Sequence, residues 1–137
     1  MTGLGQAYRE TRYIVLLEGR EITVHIGEAV AEMPLLLPGY GAIVTGWNPG
    51  SQHRPVEENR TANAELSAWI ARQGLMALPS RTETADPAWV EEGFLILGIT
   101  EADAIDLAWR FGQNALVWLA TAEPARLVAT SLWRDTD

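Results

Sequence analysis

The chain contains no cysteine and no lysine, has only two histidines, and carries no long apolar run. Without cysteine there are no disulfides, thiolate zinc sites, iron–sulfur clusters or cysteine nucleophiles, and a reducing, cytoplasmic compartment fits best. Unbroken apolar stretches such as residues 33–38 and 94–97 fall far short of the roughly 20 residues a membrane-spanning helix needs. The first twelve residues hold no apolar segment of signal-peptide length. The expectation is a cytoplasmic protein with no membrane segment.

Every positive charge is an arginine, and the ten arginines are scattered against 18 acidic residues, for a net charge of −8. A phosphate-backbone binder needs a basic stripe to displace counterions, so this balance disfavours nucleic acid as a partner. At 137 residues, with 47% hydrophobic and 20% charged residues, the chain reads as a single globular domain, 1–137, able to bury a core without staples. Lysine-free, Ala- and Trp-rich usage resembles the codon bias of a GC-rich bacterial genome.

The patterning predicts a short helix at 4–10 with Tyr8 as its anchor. Strands at 12–18 and 21–26 then form a hairpin across Gly19-Arg20, because glycine permits the positive φ of tight turns. Of the pair, the more uniformly apolar first strand is the more interior. Residues 27–33 read as one or two helical turns ending before Pro34. A buried strand at 42–47 runs into the turn signal Asn48-Pro49-Gly50-Ser51. A helix follows from about 55 to 73, with Glu57 and Glu58 at the positive end of its dipole and Gly74 at its stop. Its apolar stripe is Ala62, Leu66, Trp69 and Ile70. Residues 75–89 read as a strand followed by a long loop, and 94–99 as a central strand. Thr100 caps a helix at 101–111, with Ala104, Ile105, Ala108 and Phe111 facing the core and Asp106 paired with Arg110. Strands at 115–121 and 126–133 close the chain as a hairpin. This order implies an α+β fold: a mainly antiparallel mixed sheet of about six to seven strands packed against two principal helices.

Three segments carry polar residues where a purely structural chain would not favour them. Trp47, Asn48 and Ser51 end a buried strand. Asn59 and Asn63 lie one turn apart on the face that continues into Leu66 and Ile70, and so point toward the sheet. Gln113 and Asn114 follow Gly112, where a helix hands over to an apolar strand. Buried amides cost about 1–3 kcal/mol per unpaired group, so these need partners, either loop backbone or a ligand. Taken alone, turn chemistry for Asn48, loop latching for Asn59 and Asn63, and helix capping for Gln113-Asn114 explain them as well.

Glu91 and Glu92 sit before an apolar strand on opposite faces. A desolvated carboxylate there can act as a general base, while a solvated edge charge is the plain alternative. His25 lies on the polar face of a strand. His53, with Arg54, precedes the long helix and can meet an anion or simply occupy a loop. No phosphate loop, zinc-binding helix motif or nucleophile elbow occurs; no metal site is predicted, and no motif names a cofactor.

The pieces Thr45-Gly46-Trp47-Asn48-Pro49 with Ser51, Asn59 and Asn63, Trp89-Val90-Glu91-Glu92-Gly93-Phe94-Leu95, Leu97-Gly98-Ile99 and Phe111-Gly112-Gln113-Asn114-Ala115 resemble the uncharacterised bacterial family DUF3293. The family pattern has Ala at the position of Gly46 and Pro-Ser at those of Glu92-Gly93. The resemblance implies that the three polar clusters and Glu91 form one site, without naming a reaction. Two readings use that site. In the first, Trp47, Asn48, Ser51, Asn59, Asn63, Gln113 and Asn114 line a pocket for a small polar ligand such as a nucleotide, base or sugar. In the second, an enzyme works in the same pocket with Glu91 as general acid/base. A third reading makes the amides a structural network in a protein–protein interaction domain.

Overall fold

The computed structural model describes residues 3–86 and 89–134. Ten helices and strands organise them: α1 (Gly3–Glu10), β1 (Arg12–Leu17), β2 (Arg20–Val24), β3 (Tyr40–Thr45), α2 (Val56–Arg72), β4 (Met76–Glu83), β5 (Glu92–Leu97), α3 (Glu101–Arg110), β6 (Ala115–Ala120) and β7 (Arg126–Ala129). The strands form one sheet in the order β2-β1-β4-β5-β3-β6-β7, and every neighbouring pair is antiparallel. This is the α+β architecture anticipated from the sequence, with β5 at the centre of the sheet.

Local chemistry explains the elements. The first hairpin turns at Glu18-Gly19, one residue earlier than expected, and both residues take positive φ (49° and 81°), as a two-residue hairpin turn requires. Pro55 precedes α2 rather than opening it, and Leu66 and Ile70 bury its inner face. Thr100 accepts a hydrogen bond from the Asp103 N–H at the start of α3. Leu107 joins Ala104 and Ala108 in the buried face of that helix, whereas Ile105 and Phe111 are only half-buried. Asp106 and Arg110 pair at 3.2 Å on its exposed side.

Residues 27–33 do not form the expected helical turns. Isolated bridges join Ile26 to Ala125 and Ala29 to Pro124, and a 3-10 turn then spans Met33–Leu35 with Pro34 inside it. Proline lacks only an N–H that the first turn leaves unpaired anyway, so the turn tolerates it. Part of the predicted loop before Trp89, residues 87 and 88, lies outside the described residues.

The sheet buries both faces. Ala42, Val44, Ile96, Leu116 and Trp118 meet α2 and α3 on one side. On the other, Tyr13, Val15, Ile43, Leu95 and Val117 pack beneath Val30, Met33 and Leu36 of the irregular segment. The site described below lies at the edge of this second face. Among the described residues no helix is long and apolar enough to cross a membrane.

Candidate functional site

The turn after β3 reverses through residues in the left-handed region: Asn48 (φ 49°), Gly50 (φ 69°) and Ser51 (φ 59°). Asparagine enters that region at lower cost than most residues, and here it is also held from outside. The Asn48 N–H donates to Asn59 Oδ1 at 2.9 Å, and Asn59 Nδ2 donates back to Asn48 Oδ1 at 2.9 Å. Asn48 Oδ1 also accepts from the Arg54 N–H (3.1 Å), and Asn59 Nδ2 reaches the Arg54 carbonyl (3.3 Å). The front of α2 is thereby latched to the turn. One turn further along the helix, Asn63 Oδ1 accepts from the Gly46 N–H at 3.3 Å.

The exit of α3 docks on the same turn. Gly112 takes φ 71°, and a Cβ there would lie 2.8 Å from Pro49 Cβ, so glycine alone satisfies both the conformation and the approach. The Gln113 N–H closes the helix end on the Ala108 carbonyl, as in a Schellman cap, and the Gly50 N–H donates to the Gly112 carbonyl. The Gln113 side chain points back across the turn, its Nε2 donating to the Trp47 carbonyl (3.0 Å) and the Phe111 carbonyl (3.3 Å). Asn114 Nδ2 donates to Ser51 Oγ at 3.0 Å, and the Tyr8 hydroxyl from α1 stands 3.4 Å from the same oxygen.

Glu91 approaches this assembly from the strand side. Its backbone bonds to Thr82 twice, through Glu91 N–H to Thr82 Oγ1 and Thr82 N–H to the Glu91 carbonyl, each at 2.9 Å. This fixes the facing so that Glu92 turns out to solvent while the Glu91 carboxyl turns in. Asn48 Nδ2 lies 3.5 Å from Glu91 Oε2, and among the described residues no cation pairs with the carboxylate. Desolvation pushes the Glu91 carboxyl up to about 7 from 4.5, with Asn48 pulling weakly the other way. Burial also raises the Tyr8 phenol, against the lowering effect of its contact with Ser51.

Beside the carboxyl lies a cavity of about 30 Å³, room for one or two water-sized guests. Its walls include Tyr8, Tyr13, Thr45, Thr82, Glu91 and Gln113. Of the residues expected in a site, Glu91 and Gln113 line it directly. Asn48 stands one hydrogen bond behind on Glu91 and Ser51 one behind on Tyr8, while Asn114 bonds to Ser51 and Asn59 holds Asn48 in place. Asn63 holds the Gly46 backbone instead. Trp47 is 6% exposed and is not among the lining residues; its indole Nε1–H has no partner among the described residues. The aromatic walls are supplied by Tyr8 and Tyr13. Sequence reading noted Tyr8 only as a helix anchor and passed over Tyr13, whose burial in an apolar strand gives no separate signal. The alternation of Ser80 and Thr82 on one face of β4 is a signal that could have been read. His53 packs edge-on to Trp89 with ring centroids 4.4 Å apart, away from the cavity walls.

The family described as Protein of unknown function (DUF3293) matches residues 44–116, more than half of the chain. The chain belongs to this family. Its matched segment contains every amide of the latch together with Glu91, whereas Tyr8 and Tyr13 lie before it. No curated protein matches the chain, and no solved structure does.

Proposed function

We propose that this protein is an enzyme acting on a small polar molecule, with Glu91 as the general acid/base. The observation that carries the reading is the Glu91 carboxyl itself. It is largely buried, has no cationic partner among the described residues, lines a cavity, meets Asn48 Nδ2 at 3.5 Å, and is positioned by the bonds of the Glu91 backbone to Thr82. A carboxyl that titrates near neutrality both takes and returns a proton at working pH, which is the property general acid–base catalysis needs. Structural chains rarely bear the cost of burying an unpaired carboxyl without such a use.

In this reading the amides are mainly scaffold. Asn48, Asn59 and Gln113 spend most of their hydrogen-bonding capacity on the turn and on each other, so they fix the carboxyl rather than grip the substrate. Asn48 is the exception, because its Nδ2 also touches the carboxylate and stabilises the ionised form. A base- or sugar-sized ligand exceeds the enclosed volume of about 30 Å³. The net charge of −8 supports a small molecule over a polyanion as the partner.

A thermal-shift screen of small polar molecules, followed by NMR detection of turnover, tests the proposal with the parent and Glu91→Gln side by side. The expected result is a hit that the parent converts and that Glu91→Gln binds but converts at least 100-fold more slowly. Equal turnover by Glu91→Gln would overturn it.

A further inference from the structure

The hollow beside Glu91 follows from the register of the sheet. Ser80 pairs with Gly93, and Gly93 in turn with Thr45, so the three share one row and one face. That row carries two short hydroxyl side chains and, at its middle, none. A Cβ at Gly93 would stand 2.6 Å from the Val44 carbonyl oxygen, so glycine is required there and the row keeps its gap. Two residues along the same face Tyr13 pairs with Thr82, which holds the Glu91 backbone. Several hydroxyls of the wall are already committed. Thr45 Oγ1 donates to the Glu92 carbonyl and accepts from the Trp47 N–H, Thr82 Oγ1 accepts from the Glu91 N–H, and the Tyr8 hydroxyl meets Ser51. Two are left over. Tyr13 and Ser80 both line the cavity and are each 7% exposed, and their hydroxyls have no hydrogen-bond partner among the described residues.

We infer that this cavity is a built water site: a single water molecule, held by the Tyr13 and Ser80 hydroxyls beside the Glu91 carboxyl, is the immediate proton partner of Glu91. A volume of about 30 Å³ admits one or two guests of that size. Hydroxyls donate and accept alike, and a carboxyl accepts when ionised and donates when protonated. Water matches this mixed set with two donors and two acceptors, and two hydroxyls with a carboxyl supply the two to four partners that a buried water needs. An anion would meet the Glu91 carboxylate with no cation to offset it, because Arg81, which also lines the cavity, commits its guanidinium to Glu21 and Glu83. The Tyr8 and Tyr13 phenols are raised by burial and keep their protons near neutrality. When Glu91 releases its proton, the water takes it up and passes one of its own onward; when Glu91 gains a proton the order reverses. The water therefore stays neutral and is not consumed. Tyr13 and Ser80 are positioning residues in this relay.

The relay rests on the acid/base role proposed for Glu91, whereas the water site does not, and one set of measurements separates them. A high-resolution crystal structure of the parent should show one ordered water within about 2.5–3.0 Å of Tyr13 Oη, Ser80 Oγ and a Glu91 carboxyl oxygen. Ser80→Val fills the hollow and removes one partner, and should expel the water. Infrared difference spectra against Glu91→Gln, taken at about pH 6 where ordinary glutamates are ionised, isolate the C=O stretch of protonated Glu91. That stretch should move to higher wavenumber in Ser80→Val, and by less in Tyr13→Phe, as the carboxyl loses its hydrogen bond to water. Should Ser80→Val fail to fold, the parent structure and Tyr13→Phe decide. A parent cavity with no ordered water, or with a water that touches neither Tyr13 nor Ser80, overturns the inference. So does a C=O stretch that stays in place in both variants. The acid/base reading survives each of these outcomes as long as Glu91→Gln loses turnover. If Glu91→Gln turns over as fast as the parent with the water in place, the acid/base reading and the relay fall together.

Discussion

At the scale of single residues, the account turns on a carboxyl that the fold holds at a cost. Folding raises the Glu91 carboxyl from 4.5 to about 7, so between those values the folded protein binds a proton the unfolded chain releases. Stability from this group is fully present below pH 4.5 and is lost as pH rises through 7, a change of about 3 kcal/mol. Glu91→Gln keeps the shape and removes the titration. Chemical denaturation at pH 5 and pH 8 should therefore show the parent losing stability relative to Glu91→Gln at the higher pH; parallel behaviour would contradict the burial argument. Asn59 is the residue-scale counterpart in the latch. Asn59→Ala strands the Asn48 N–H and the acceptors that Asn59 Nδ2 now serves, and should cost about 3 kcal/mol in urea unfolding. Asn59→Asp retains the acceptor but turns a carboxylate oxygen toward Asn48 Oδ1 and the Arg54 carbonyl, so it should also destabilise strongly. A loss below 1 kcal/mol in both would show that the latch is dispensable.

At the scale of elements, α1 contributes one wall of the cavity. Of its lining residues only Tyr8 comes from that helix; the others belong to strands of the sheet or to the turns beside them. Tyr8 is fixed by two contacts, the Ser51 hydroxyl at 3.4 Å and the Trp133 ring with centroids 5.6 Å apart. Tyr8→Ala should admit water to the carboxyl and lower the Glu91 titration midpoint toward 4.5, observable by carbon-detected NMR. An unchanged midpoint would mean that other walls do the desolvating. The elements themselves were largely legible in the sequence. β-Branched runs, the i, i+3, i+4 stripe of α2 and the Thr100 cap each state a local preference that tertiary packing reinforces. The segment before β3 was not, because Pro34 reads as a stop signal whether a helix ends before it or a 3-10 turn contains it.

At the scale of the whole molecule, seven antiparallel strands bring together residues that the chain separates widely, among them Tyr8, Asn48, Glu91 and Gln113. Which polar residues converge was legible, since Asn and Gln at strand ends and on inward helix faces must find partners somewhere. What they converge on was not. Whether an amide faces a hollow or a neighbouring carbonyl depends on side-chain directions and on register, and Asn48 and Asn59 face each other. The hollow lies one layer further, bounded by tyrosines whose positions in apolar strands and short helices give no warning. The central claim is that this hollow raises a carboxyl so that it titrates near neutral pH. A carbon-13 NMR titration of the Glu91 carboxyl in the native protein, from pH 3 to pH 9, tests it most directly. The account predicts a midpoint near 7; a midpoint at the ordinary glutamate value of about 4.3 would contradict it.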